Sequence, residues 1–263
     1  MKGRRKFLLG SLGLLAAGGT GLWFGKNLIL RKVLTSWHDN TAISQTPAPA
    51  FDGDCVLTTE STEGPFFVRS EIRKDIREDR AGKEMTLRLK FANVADCRPV
   101  EGATVEIWHC DAEGRYSGYP EELARDAFGS GVFLFQNIKD GHITPKNEKR
   151  YLRGAQMTDA EGVCEFTTIV PGWYEGRCPH IHMKVFAGGK DLFTSQLYFD
   201  ETFTTRTYST FEPYKAHGDS PYTRKNDVVI AESPNGLTGL VLDPVWSDTG
   251  PIVASAKFGL QLT

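Results

Sequence analysis

A tyrosine, an arginine and two histidines lie within one short stretch of the chain, GWYEGRCPHIH (172–182). His180 and His182 alternate with apolar residues in HIHMKV, which is the period-two pattern of a half-buried strand. The alternation predicts that the apolar side chains face a core and that both imidazoles face the other side. Their Cα atoms would then be about 6.6 Å apart, close enough for both rings to bind one metal ion. For an isolated pair, two surface histidines on a strand are the alternative interpretation.

Two tyrosines follow predicted strands and could complete such a metal site. Tyr116 comes after a strand and a tight turn in WHCDAEGRYSGY, and Tyr174 comes after the strand TTIV in PGWY. Tyrosines in loops of this kind are commonly packing or interface residues. A phenolate oxygen is also a hard anionic ligand, and two phenolates with two neutral imidazoles suit Fe(III). Fe(II) oxygenases instead use two histidines and a carboxylate, and the HIH strand contains no carboxylate.

The segments that must position these residues have the pattern of short β-strands separated by turn sequences such as DAEG. The predicted strands are EMTLRLKF, TVEIWH, CEFTTIV, HIHMKV, FTSQLYF and PIVASAKFGLQLT. Regularly spaced short strands indicate an all-β domain, and we predict a β-sandwich core. Short helices are expected only near residues 70–79 and 120–128.

Length and charge limit the architecture and exclude one class of partner. A chain of 263 residues can form one sizeable core, or at most two small ones. A formal net charge of -2 and a pI near 6.3 provide no basic stripe of the kind that binds nucleic acid.

Residues 1–26 have the composition of an export signal or a membrane anchor. A basic start is followed by an apolar, glycine-rich run, and Asp39 is the first acidic residue. Arg4-Arg5 before KFLL resembles a twin-arginine signal, although Gly3 replaces the usual Ser or Thr. The alternatives are an ordinary secretory signal and a short anchor, because residues 7–25 could just span a bilayer. We therefore expect an exported protein, periplasmic or tethered to the outer side of a membrane.

Residues 27–53 are predicted to be a linker, with the clearest flexible piece at 46–50, and residues 54–263 to be the folded domain. Export places the cysteines in an oxidising compartment. Because five is an odd number, at least one thiol is unpaired or bonds outside the chain. The five are Cys55, Cys97, Cys110, Cys164 and Cys178.

Five ordered motifs resemble those of the intradiol ring-cleavage dioxygenases. They are TEGPFF (62–67), VEIWHCDAEGRYS (105–117), RGAQMTDAEG (153–162), TIVPGWYEGR (168–177) and HIH (180–182). The similarity extends from about Cys55 to Leu262. The family contains the catechol and protocatechuate dioxygenases, non-haem ferric enzymes on a β-sandwich. The resemblance therefore implies Fe(III) as cofactor, and a catechol and O2 as substrates that give a cis,cis-muconate.

The resemblance also implies which residues bind the metal and the substrate. Tyr174 matches the phenolate that leaves the iron when substrate binds, and Arg177 matches an active-site arginine that stabilises charge on the substrate ring. A surface salt bridge is the alternative role for Arg177. The positions that match the iron ligands are Tyr116, Tyr174, His180 and His182, and those that match the substrate pocket are Gly64, Pro65, Arg177 and Gln196.

Some residues depart from the family pattern or lie outside its motifs. Phe67 stands where many relatives have tyrosine, and the long N-terminal helical region of the catechol dioxygenases is missing, so the resemblance does not imply their helix-mediated dimer. The oligomeric state stays open. His109 is interpreted as a structural, hydrogen-bonded histidine, and His142 and His217 as solvated residues of polar loops.

Two other classes of protein are compatible with parts of the pattern. One is an exported hydrolase or copper protein that uses HIH to bind Zn or Cu. The other is a β-sandwich binding module without ring-cleavage activity. The presence of all four ligand positions together with Arg177 argues against the binding module.

Overall fold

The described part of the chain forms two packed β-sheets, which confirms the predicted all-β sandwich. The computed structural model describes residues 55–119, 142–230, 237 and 239–262, and the backbone of 138–139. The predicted signal or anchor (1–26) and linker (27–53) lie outside the described residues.

The first sheet contains β1 (Glu84–Asn93), β6 (Val163–Ile169), β9 (Asp243–Val245) and β10 (Ile252–Leu260) in the order β6-β1-β10-β9. The second contains β2 (Thr104–Trp108), β5 (Arg153–Met157), β7 (His180–Ala187) and β8 (Lys190–Tyr198) in the order β5-β2-β7-β8. β1 and β10 pair in parallel, and the other pairs in both sheets are antiparallel. A small ribbon pairs β3 (Ile138–Lys139) with β4 (His142–Ile143).

The hydrophobic core lies between the two sheets, as the alternating patterns predict. Leu87 and Leu89 of β1 and Ile181 and Met183 of β7 are among its fully buried members. Burial of an aliphatic side chain of this size stabilises the fold by about 1.5–3 kcal/mol. Because the apolar residues of β7 occupy the core face, its histidines must lie on the opposite face.

Two short helices occur among the described residues, α1 (Glu201–Thr210) and α2 (Tyr214–His217). The side chain of Asp200 caps α1 by accepting a hydrogen bond from the amide of Thr202. Within the described part of the chain, no helix has the length and apolar character needed to cross a membrane.

The helix predicted near residues 70–79 is wrong, and the one predicted near 120–128 lies outside the described residues. The first segment pairs with the edges of both sheets through isolated bridges and then ends in a turn, in which the amide of Arg80 donates to the carbonyl of Arg77 at 3.1 Å. The amide of Arg73 donates to the carbonyl of Ala155, and the amide of Ile76 donates to that of Thr167, each at 3.0 Å. These bonds satisfy backbone groups that a helix would have satisfied internally.

A disulfide joins Cys55 to Cys97, which are 42 residues apart in sequence. Closing a loop of that length stabilises the folded state by roughly 3–4 kcal/mol in the chain-entropy description. The other cysteines, Cys110, Cys164 and Cys178, are buried free thiols. The prediction of at least one unpaired thiol is therefore confirmed.

Candidate active site

The site lies on the face of the second sheet that points away from the core. His182 of β7 is paired in register with Trp108 of β2, and the two rings stack with centroids 5.0 Å apart and planes 8° from parallel. The segment that begins at Thr62 covers this face, so that His180 and His182 are both buried. This stacking and burial limit the orientations open to the imidazoles.

The structure brings the four predicted ligand side chains together. Nε2 of His180 lies 3.1 Å from Nε2 of His182 and 3.2 Å from the phenolic oxygen of Tyr174. The phenolic oxygen of Tyr116 lies 3.5 Å from the same nitrogen. All four side chains are buried, so their polar atoms converge on one point inside the protein.

The histidines are neutral and present their ring nitrogens to that point. Burial, reinforced by the nearby charge of Arg177, lowers the pKa of His180 and of His182 well below the ordinary value. Nδ1 of His180 lies 2.7 Å from the carbonyl oxygen of Cys178. That carbonyl can only accept, so Nδ1 carries the proton and Nε2 is left with a free lone pair.

Burial also controls the two tyrosines. It raises the pKa of Tyr116 well above the ordinary value, and the neighbouring Tyr174 raises it further. Burial likewise raises the pKa of Tyr174, while Arg177 opposes this shift. Phenols in such a position ionise when a cation stabilises the phenolate.

The donor set fits a ferric ion. Within the described ranges, no group of three or more His, Cys, Asp or Glu residues could hold a metal, and the cluster consists instead of two imidazoles and two phenols. Neutral imidazoles with hard anionic phenolate oxygens suit a hard trivalent cation. The chemistry of the four side chains therefore agrees with the predicted non-haem Fe(III).

Gly64 lies directly against one of the candidate ligands. Its backbone has φ +74°, and a Cβ added there would lie 2.9 Å from Cε1 of His182. A larger residue would therefore be strained and would displace the imidazole. The carbonyl of Pro65 accepts a hydrogen bond of 2.9 Å from the amide of Ile143, which ties this predicted pocket segment to β4.

Arg177 is held beside the four-residue cluster. Its Nη1 lies 3.5 Å from the Tyr174 oxygen, and its Nη2 donates to Oε1 of Gln196 at 2.5 Å. Gln196 in turn donates from Nε2 to the carbonyl of Thr62 at 2.8 Å. Because Arg177 is only 4% exposed, the alternative of a surface salt bridge is wrong.

The carboxylate that pairs with Arg177 was missed by sequence reasoning. Both oxygens of Asp227 accept from Nε of Arg177, at 3.2 and 3.0 Å. Burial disfavours the charge of Arg177, but the summed attraction of Asp227 and of other acidic groups nearby outweighs it, and the pKa of Arg177 is raised. Asp227 lies in the polar stretch TRKND, where nothing in the pattern distinguishes it.

Arg153 is a second buried guanidinium, from a motif to which sequence reasoning assigned no role. It donates to the side chain of Ser117 at 2.8 Å and to the carbonyl of Phe66 at 2.7 Å. Burial lowers its pKa to about 10, so it stays charged at neutral pH. Its guanidinium carbon lies 5.8 Å from the ring centres of Tyr116 and Tyr119, and it has no carboxylate partner among the described residues.

An apolar cluster surrounds the tyrosines. Phe66 stacks on Tyr116 with centroids 4.5 Å apart and meets Tyr119 and Tyr174 edge-on at 5.0 and 6.5 Å. The remaining buried members are Trp108, Cys110, Ile143 and Val229. This cluster keeps water away from the phenolic oxygens and offers flat apolar surface to an aromatic ligand.

His109 and Phe67 lie outside the ligand cluster. His109 contacts the carbonyl of Cys110 at 2.8 Å and the hydroxyl of Thr168 at 2.7 Å, and burial lowers its pKa to about 4. The prediction of a structural histidine is confirmed. Phe67 packs on Trp108 with centroids 5.0 Å apart.

His142 and His217 are partly buried and hydrogen-bonded, which differs from the solvated positions that we predicted. Nε2 of His142 lies 2.6 Å from the carboxylate of Glu63. Nε2 of His217 lies 2.9 Å from the carbonyl of Trp173. Neither histidine belongs to the ligand cluster.

Comparison with known proteins agrees with this geometry. The sequence profile of a family described as "Dioxygenase" matches residues 62–207, which is more than half of the chain. An intradiol ring-cleavage dioxygenase from Tetranychus urticae has a similar structure, with a TM-score of 0.69 and 28% identity over 79% of this chain and 95% of that one. The chain belongs to the intradiol ring-cleavage dioxygenase family.

Curated relatives in this family include enzymes named for catechols. The chain is 23% identical over 164 residues to a chlorocatechol 1,2-dioxygenase of Cupriavidus pinatubonensis, which covers 61% of this chain and 60% of that protein. It is 27% identical over 181 residues to a catechol 1,2-dioxygenase of a Pseudomonas species, and the aligned region covers 57% of this chain and 52% of that protein. The chain thus spans between half and three fifths of the length of these relatives.

Proposed function

We propose that the protein is a non-haem Fe(III) dioxygenase that opens the ring of a catechol between its two hydroxylated carbons. The observation that carries this proposal is the convergence of two phenolic oxygens and Nε2 of His182 within 3.1–3.5 Å of Nε2 of His180. Membership of the family and the names of the catechol-cleaving relatives support it.

Tyr116, Tyr174, His180 and His182 would hold the ferric ion. When bound, the ion would stabilise the deprotonated oxygens of a catechol and draw electron density from its ring, which prepares a ring carbon to react with O2. Because the two imidazoles are neutral, the two phenolates would be the protein ligands that balance the positive charge of the ferric ion.

The proposed reaction balances without any further reductant. The bond between the two hydroxylated ring carbons breaks, and each of these carbons gains one oxygen atom from O2. Catechol and O2 together therefore give a dicarboxylic acid, cis,cis-muconate, that contains every atom of both reactants.

Tyr174 and Arg177 have separate parts in this proposal. Tyr174 would take up a catechol proton at its phenolic oxygen as it gives way to the substrate. Arg177, whose Nη1 lies 3.5 Å from that oxygen, would donate hydrogen bonds to charge that develops on the ring. Removal of one preorganised donor of this kind typically costs about 3 kcal/mol of transition-state stabilisation. Gly64, Pro65 and Gln196 would line the space for the substrate.

We also propose that the enzyme is exported through its twin-arginine-like N-terminal segment and acts in the periplasm or tethered to the outer side of a membrane. The Cys55–Cys97 disulfide supports this location, because disulfides persist in oxidising compartments. The three free thiols are buried, which protects them from oxidation there.

Metal analysis, visible spectroscopy and oxygen uptake on the purified protein test the proposal. We expect about one iron per chain, a red-brown colour from phenolate-to-iron charge transfer, and O2 consumption with at least one member of a catechol panel. A colourless protein that holds Zn or Cu and stays inactive after iron is supplied would contradict the proposal.

A further inference from the structure

We infer that Asp227 is the residue that positions Arg177 for catalysis, an inference that rests on the proposed function. Asp227 is completely buried and lies 20 residues beyond the segment 62–207 that matches the family profile. None of its hydrogen bonds goes to the four candidate ligands, and the predicted site residue to which it is bonded is Arg177. Its action on the reaction would therefore pass through Arg177.

The contacts of Asp227 fix the direction of the guanidinium. Its two carboxylate oxygens accept from Nε of Arg177 at 3.2 and 3.0 Å. With Nε held in this way, Nη1 points to the Tyr174 oxygen and Nη2 points to Gln196. A guanidinium is planar, so fixing Nε also fixes the plane in which both Nη groups donate.

The carboxylate is itself held by backbone amides. One oxygen accepts from the amides of Val229 and Ile230 at 2.9 and 3.2 Å, and the other accepts from the amide of Cys178 at 2.8 Å. Asp227 thereby links the chain directly after Arg177 to the loop that carries Val229. Val229 belongs to the apolar cluster around Tyr174. The Asp227 side chain therefore holds both the guanidinium of Arg177 and the backbone of a residue that packs near Tyr174.

Replacement of Asp227 by Asn keeps the shape of the side chain but changes two of its properties. The negative charge opposite Arg177 is lost, and one oxygen that accepts hydrogen bonds is replaced by an NH2 group that faces the N–H donors of Arg177 or Cys178. The guanidinium would turn away from its present direction while the four candidate ligands keep their contacts. A misplacement of about 1 Å in a group of this kind can reduce turnover about 100-fold.

The test is a double-mutant cycle on the iron-containing enzyme with Asp227→Asn, Arg177→Met and both changes together. We expect Asp227→Asn to keep the iron content and visible band of the wild type, while kcat falls about 100-fold per bound iron. Arg177→Met should lower kcat by about 100–1,000-fold. Because Asp227 acts through Arg177, the double variant should be no slower than Arg177→Met alone.

Glu165→Gln is the matched control. Glu165 also pairs with basic residues, Lys74 at 2.7 Å and Arg88 at 3.3 Å, but it lies on the outer face of the first sheet. This variant should have the kcat of the wild type. Wild-type turnover of catechols tests the proposed function, whereas the ratios among the variants test the role of Asp227.

Two kinetic results would overturn the inference: wild-type kcat in Asp227→Asn, or a further 100-fold loss when Asp227→Asn is added to Arg177→Met. If Asp227→Asn does not fold, thermal unfolding of the double variant decides the question. Removal of one partner of a buried ion pair destabilises the protein more than removal of both, because it leaves an unpaired buried charge. The double variant should therefore have a thermal unfolding midpoint closer to that of the wild type than Asp227→Asn has. A double variant as unstable as the single one would show that Asp227 serves only its loop.

Discussion

The Nε2 atoms of His180 and His182 lie 3.1 Å apart on the face of β7 that points away from the core. The Tyr116 and Tyr174 oxygens lie within 3.5 Å of the first of these atoms. The single lone pair on Nε2 of His180 can accept one hydrogen bond, whereas one cation can be coordinated by all four atoms. The arrangement is therefore better suited to a metal than to a hydrogen-bonded core.

His180→Ala and His182→Ala should each remove one metal ligand and lose most of the iron. The two imidazoles would be the neutral ligands of the set, and the ring nitrogens of the buried His109 are already engaged with the Cys110 carbonyl and the Thr168 hydroxyl. Iron content per folded chain measures the effect, and His217→Ala is the control because His217 contacts the Trp173 carbonyl instead. Full iron occupancy in both ligand variants would exclude the histidines as ligands.

The two tyrosines should respond differently to replacement by phenylalanine. Tyr116→Phe should weaken iron retention and remove most of the charge-transfer band from the catechol complex, because this phenolate is the one proposed to stay bound. Tyr174→Phe should keep iron but slow both deprotonation of the substrate and release of the product, because the phenolate proposed to act as a base would be missing. The visible spectrum and iron content, with and without catechol, distinguish the two outcomes.

Tyr119→Phe is the matched control for the tyrosine variants. Tyr119 belongs to the same apolar cluster, and its hydroxyl donates to the carbonyl of Ile143 at 3.0 Å. Loss of that bond should cost about 1 kcal/mol of stability and leave the iron and the band unchanged. If Tyr116→Phe and Tyr174→Phe both behave like this control, neither tyrosine is a ligand.

Acid should weaken the ion pair between Glu201 of α1 and Arg224. The hydrogen bonds from Arg224 lower the pKa of Glu201 from the ordinary 4.5 to about 2. Its stabilisation is therefore complete above pH 4.5 and is lost as the pH falls through about 2. Because the Glu201 side chain is 38% exposed, solvent screening reduces the contribution to about 1 kcal/mol.

Urea unfolding of Glu201→Gln and of the wild type measures this contribution. We expect the variant to be less stable at pH 6 and the difference in free energy of unfolding to shrink at pH 3. An equal difference at both pH values would show that the Glu201 charge is not its source.

The N-terminal residues should be dispensable for catalysis. A chain that begins at Phe51 keeps Cys55 and every described residue of the site, so it should keep iron and turnover. It should lose export or membrane attachment, which cell fractionation measures. Loss of iron from this shortened chain would show that the folded domain begins earlier than residue 54.

The local sequence pattern predicted the β-sandwich and the position of the histidines. In HIHMKV the apolar residues occupy the core face of β7 and the imidazoles the other face, because side-chain direction in a strand follows directly from period two. The helix predicted at 70–79 failed because backbone partners on two other strands decide that segment. Helix α1 was missed because threonine, which is frequent in it, has low helix propensity.

Contacts between distant segments could not be predicted in the same way. Asp227 meets Arg177 across 50 residues, and Arg153 meets Ser117 across 36. Neither pairing leaves a periodic signal, because each depends on how loops pack over the sheet. The charged groups that orient the site therefore became visible only in the folded structure.

The measurement that tests the central claim most directly is mass analysis of the product formed from catechol under 18O2 by the iron-loaded protein. We predict a cis,cis-muconate that carries two labelled oxygen atoms, one on each carbon of the broken bond. A ring-opened aldehyde, a product with one labelled atom, or the absence of product from catechol and from every other member of the catechol panel would contradict intradiol cleavage by this protein.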